Sequence, residues 1–119
     1  MTAPDDRSAE GLAGGVAAEI TAALEETARA LLPVALVERV GDELVWSREG
    51  RRFAVQAGAT ASVRIGLEIG AAALRTPGVG GSPLGSDWVA FSPPTLDGHA
   101  RDRLMAWFVA AHRRAAPWV

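Results

Sequence analysis

The sequence predicts an α+β fold: a two-layer sandwich in which an antiparallel sheet of about five strands carries the N-terminal and C-terminal helices on one face. Three observations carry this. Apolar residues recur with helical spacing near each end of the chain, and between those ends short β-branched runs are punctuated by turn residues. At 119 residues the chain makes one domain. A domain of that size buries roughly two-thirds of its unfolded surface and needs no covalent staple.

The first eleven residues, MTAPDDRSAEG, are polar and read as a loose tail, with the domain proper over 12–119. From Val16 the apolar positions are Val16, Ile20, Ala23, Leu24, Thr27 and Leu31, one face of a helix. Pro33 lacks an N–H and disfavours helix at Leu32, so the helix stops there. Val34 to Val40 is a first strand, Gly41-Asp42 a turn, Leu44 to Trp46 a second strand, and Arg48-Glu49-Gly50 another turn. Arg52 to Gln56 is a third strand. SVRIGLEI, Ser62 to Ile69, alternates cleanly, with Val63, Ile65, Leu67 and Ile69 on one face and Arg64, Gly66 and Glu68 on the other. It reads as a fourth strand. A stretch with glycines at 78, 80, 81 and 85 leads to a fifth, Trp88 to Phe91. After Pro93-Pro94, Thr95 or Asp97 caps a final helix with the stripe Ala100, Leu104, Trp107, Phe108 and Ala111. Arg113 and Arg114 suit the negative end of its dipole, and Pro117 ends it.

Composition excludes several classes of chemistry. Apolar residues make up 49% of the chain, enough for a core. A net charge of −2 gives no argument for nucleic acid or a membrane surface, and no apolar run reaches the roughly 18 residues of a spanning helix. All twelve basic residues are Arg, which with the abundant Ala and Gly reads as the coding bias of a GC-rich bacterial genome. Without Cys there is no disulfide, thiol nucleophile or thiolate metal site. The acidic N-terminus lacks the basic start of a signal peptide, so a cytoplasmic protein is expected.

Three stretches carry a family resemblance: GRRFAVQ (Gly50 to Gln56), VRIGLEI (Val63 to Ile69) and WVAFSPPTLDGHARDRLMAWFVAAHRRA (Trp88 to Ala115). With the order helix, meander, Gly/Pro loop, short strand and closing helix, residues 16 to 115 resemble the YdhG/YjbR/CyaY-like families. The resemblance implies a frataxin-like fold. It leaves the activity open, since those families include proteins of unknown function, iron chaperones and nucleic-acid binders.

For function, the glycine stretch fits neither the Walker pattern nor G-x-G-x-x-G, and Pro83 removes a donor, so it reads as a connection or a flap rather than a phosphate loop. His99 and His112 are thirteen positions apart and make no two-ligand helix face. Glu19, Glu25, Glu26, Glu38, Asp42 and Glu43 offer oxygen ligands for weak divalent binding, but Arg29 and Arg39 interrupt them. The serines lie in no nucleophile motif, and nothing calls for a cofactor or marks an enzyme. The favoured expectation is a binding module for a small molecule or a partner protein. Its site is the outer sheet face or the cleft under Gly78 to Asp87, with Arg64 and Arg75 holding an anionic group and Trp46 and Trp88 stacking on an apolar one. Arg52 belongs to the same face if the register allows. Trp107 is expected in the core, and Trp118 as a free end or a lid. Metal binding through the helix carboxylates and nucleic-acid binding through the arginines are the alternatives, the second opposed by the acidic balance. An uncovered sheet edge makes a homodimer a further expectation.

Overall fold

The computed structural model describes residues 4–116, with side chains from residue 15 onward. The elements are α1 (Pro4–Arg29), β1 (Leu36–Val40), β2 (Glu43–Arg48), β3 (Arg51–Ala57), β4 (Thr60–Arg64), α2 (Gly66–Ala73), β5 (Val79–Ser82), β6 (Gly85–Phe91) and α3 (Gly98–Arg114). All strands pair antiparallel, in the order β1-β2-β3-β4-β6-β5. The α+β sandwich is the predicted one, with six strands instead of five and an additional helix. The tail expected over 1–11 overlaps the start of α1, and Trp118 lies outside the described residues. Among the described residues no helix is long and apolar enough to cross a membrane.

The two long helices cover one face of the sheet through the stripes that the sequence marks. On α1, Ile20, Ala23, Leu24, Thr27 and Ala28 are buried, and on α3 Leu104, Phe108, Ala111 and His112 are. Phe108 sits at the centre, fully buried, with its ring edge-on to Trp46 at 5.7 Å and to Phe53 at 5.1 Å. Trp107 is only half-buried and packs edge-on against Phe91 at 5.3 Å. Of the two candidate caps for α3, Asp97 does the work, accepting from the Ala100 N–H at 2.9 Å.

Two polar staples position the helices on the sheet. Buried Gln56 of β3 donates to the Ala17 carbonyl at 2.9 Å and accepts from the Thr21 hydroxyl at 3.0 Å, so α1 has one seat. Buried His112 of α3 bonds through Nε2 to the Pro33 carbonyl at 2.7 Å, and Arg48 of β2 donates to the His112 carbonyl at 2.9 Å. Each group would cost more unpaired than the bond returns, which makes such staples specific.

Two local features set the shape of the β2–β3 hairpin. Glu49 and Gly50 both have positive φ, +50° and +83°, the two-residue turn whose twist suits a hairpin. A β-bulge between Trp46 and Ser47 leaves Phe53 without a partner, so Phe53 and Ala54 both face the core while Arg52 turns to the opposite face.

The largest correction concerns Ser62 to Ile69. The strand ends at Arg64, because Gly66 adopts φ +88° and the chain turns into α2. The buried side of α2 is Gly66, Gly70 and Ala73, small enough to bring the helix against Val89 of β6, while Leu67, Ile69 and Leu74 point outward. The glycine stretch is likewise not a loose connection. Its residues build the β5–β6 hairpin, with Val79 opposite Phe91 and Gly80 opposite Ala90.

β1 forms the far edge of the sheet. All five of its residues are exposed.

Candidate functional site

Strand alternation sorts the predicted residues between the two faces. Trp46 pairs with Ala54 and points with it into the helix-covered core, where it is 1% exposed. It is therefore absent from the outer sheet face, where the sequence reading set it beside Arg64. Arg64 pairs directly with Trp88, and both occupy the face opposite the helices. The bulge in β3 brings Arg52 to that same face, with its guanidinium carbon 5.7 Å from the centre of the Trp88 ring.

Trp88 therefore has a different role from the one the sequence suggests. Its side chain is buried, and Arg52 lies over its ring. The indole is a platform for an arginine, a cation–π contact worth about 0.5–1 kcal/mol where water still reaches it. Held this way, Arg52 has less freedom to lose when it meets an anion.

Arg51, Arg52, Arg64, Leu84, Asp87 and Trp88 together line an open cleft of about 500 Å³ at one end of the sheet. The Arg64 Nε donates to the Asp87 carboxylate at 2.6 Å. That bond above all holds the Asp87 carboxyl below its ordinary value of 3.8. Burial pushes the other way, and the Asp87 backbone N–H and the nearby charge of Arg114 add to the lowering. Asp87 is thus ionised in neutral solution and offsets one arginine. Arg51 and Arg52 have no carboxylate partner among the described residues. Three guanidinium groups against one carboxylate leave the cleft a net +2 at neutral pH, on a chain whose overall charge is −2.

The other expected residues are elsewhere. Arg75 is exposed just beyond the C-terminus of α2 and lines neither this cleft nor the one under the hairpin. The cleft under the hairpin does exist. It is an apolar groove of about 370 Å³ between Leu67 and Ala71 of α2, Leu74 just beyond it, and Gly81 and Gly85 of the hairpin. No charged side chain lines it, so it offers nothing to fix an anion.

The carboxylates of α1 and the first strands do not converge. Glu26 pairs with Arg101 of α3, and no three His, Asp or Glu side chains are placed to share a metal ion among the described residues. His112, far from being a candidate ligand, is taken up by its bond to Pro33 and its edge-on contact with Phe53 at 5.5 Å.

Sequence reasoning missed Arg51 and the turn of the glycine stretch that brings Leu84 and Asp87 to the arginines. The signal for Arg51 and Arg52 was present as the pair of arginines directly after Glu49-Gly50, at the mouth of a hairpin. No family model, curated protein or solved structure matches the chain.

Proposed function

We infer that the protein is a binding module for a small anion, held by Arg51, Arg52 and Arg64 in the cleft at the end of the open sheet face. The observation that carries this is the gathering of three arginines around one cleft that holds a single carboxylate, with one of the arginines laid on a tryptophan. Guanidinium groups recognise carboxylates and phosphates through paired N–H donors, and an arginine held against an indole is set in place before the ligand arrives. The reading assigns the protein no reaction.

The frataxin-like resemblance suggests ferrous iron as a competing ligand, and the arginines suggest single-stranded DNA. A thermal-melting panel of phosphate, pyrophosphate, sulfate, dicarboxylates, ferrous iron and an oligonucleotide separates the three. A ligand that binds only the folded state stabilises it by about 2.7 kcal/mol at a hundredfold excess over Kd. For a domain of this size that is a rise of roughly 10 °C in Tm. The reading predicts such a rise with at least one small anion, and its loss in Arg52→Gln and Arg64→Gln. A flat response to every anion, or a response that both variants keep, refutes it. A response confined to iron or to the oligonucleotide transfers the function to that class.

A further inference from the structure

We propose that the free edge of β1 is a self-association surface on which a second copy of this chain adds its own β1 antiparallel, joining the two sheets across a two-fold axis at Val37. The inference is independent of the anion cleft, which lies among β3, β4 and β6.

The edge is apolar and open. Leu32, Val34, Leu36, Val37 and Val40 are 85%, 58%, 62%, 48% and 51% exposed, all within one nine-residue stretch. On the helix side, Val34 and Val37 border a groove of about 270 Å³ whose floor is Ala28 and Trp46. An exposed apolar edge strand is a template for another strand, and natural proteins usually block it with charge, proline or a covering element. Among the described residues the backbone of β1 pairs on one side only.

A second copy fits for three reasons. First, the surface does not repel itself. Glu38 and Arg39 on the strand, and Glu25 and Arg29 at the groove, balance in charge on a chain that is acidic overall. Second, the area is adequate. The five residues expose about 500 Å² per chain, so two copies can hide at most about 1,000 Å² between them, the size of a weak, concentration-dependent association.

Third, the register is restricted. Two antiparallel copies must match residues on the same face, so the axis passes through a residue facing its own counterpart. An axis at Glu38 or Arg39 opposes like charges, and one at Val40 sets Glu38 against Asp42. An axis at Val37 opposes Val37 with Val37, Leu36 with Glu38, and Ala35 with Arg39. In addition, β1 and β2 are joined by the two-residue turn Gly41-Asp42, with Val40 opposite Glu43. The flanking pair of such a turn is hydrogen-bonded, so Val40, Glu38 and Leu36 use their backbone groups on β2. Arg39, Val37 and Ala35 present theirs to the free edge, and an axis at Val37 pairs all three.

The chain has no cysteine, so single substitutions read the register directly. In the proposed pair the two Val37 Cα atoms are about 5.5 Å apart, within disulfide range. The two Val40 Cα atoms are about 20 Å apart. The experiment is sedimentation velocity of the whole chain from 1 to 200 µM, together with oxidation of Val37→Cys and Val40→Cys. The expected results are a concentration-dependent rise from 12.4 kDa toward twice that mass, a Kd at least tenfold weaker in Val37→Lys with unchanged circular dichroism, and covalent dimer from Val37→Cys alone. A chain monomeric at 200 µM overturns the proposal. So does a dimer indifferent to Val37→Lys, or equal cross-linking of the two cysteine variants.

Discussion

Replacing Asp87 with Asn removes the one carboxylate of the cleft and leaves its shape. In the folded chain Asp87 accepts from Arg64 at 2.6 Å, with the two side chains 24% and 49% exposed. It competes with any anion for that guanidinium. A unit charge about 5 Å from a bound monoanion is worth about 0.8 kcal/mol at the dielectric of water and about 3 kcal/mol at an effective value of 20. Exposure of this degree places the pair toward the watery limit, so about 1 kcal/mol applies, or roughly fivefold in Kd. Isothermal titration with nitrate, a monoanion that stays ionised in acid, at low ionic strength is the assay. Asp87→Asn binds about fivefold tighter than the unsubstituted chain, and the difference shrinks in high salt as screening grows. The pH dependence has a definite sign. Because Arg64 lowers the Asp87 pKa below 3.8 in the folded state, the contribution of the pair to stability is complete above that value. It is lost as pH falls through the folded value. The affinities of the two proteins for nitrate converge over the same acidic interval. Equal or weaker binding by Asp87→Asn at neutral pH would refute the placement of the anion beside Arg64.

Further perturbations follow from the packing. Trp88→Leu frees Arg52 from its platform, and anion affinity measured by the same titration falls about threefold, with Arg51 and Arg64 untouched. Phe108→Ala empties the centre of the core between Trp46 and Phe53 and costs about 3–5 kcal/mol in urea unfolding. Gly66→Ala asks a side chain to take φ +88° and to displace the Arg114 guanidinium 2.8 Å away, lowering stability by about 1–2 kcal/mol in thermal melts. Glu49→Asn places a residue tolerant of positive φ at +50° and raises Tm by a few degrees, about 0.5 kcal/mol.

Much of the architecture was legible because burial leaves a periodic mark. The α1 and α3 stripes and the turns at Gly41-Asp42 and Glu49-Gly50 lie where spacing and turn chemistry placed them. The reading failed where large apolar residues face water and small ones face the core. In Ser62 to Ile69, alternation favoured a strand, yet the left-handed Gly66 ended it, and α2 then packed through glycine and alanine, which no hydrophobicity pattern reveals. The β5–β6 hairpin was hidden for the same reason, its glycines carrying no side chain to alternate.

The site was half legible. Arg64 and Trp88 are direct partners across β4 and β6, as their shared face required. Trp46 and Arg75 were misplaced, because a strand position leaves the choice of face open and a residue beside a loop can point away from it. Arg52 reached the site only through a bulge in β3 that the sequence does not advertise.

The central claim is that the three arginines hold an anion together. Nitrogen–proton correlation spectra of the uniformly labelled chain, titrated with phosphate, test this most directly. The predicted result is saturable shifts of the Nε–H signals of Arg51, Arg52 and Arg64 and of the Trp88 indole N–H, with Arg75 and the Trp46 indole unmoved. Shifts spread evenly over exposed arginines, or none at the cleft up to 50-fold excess phosphate, would contradict it.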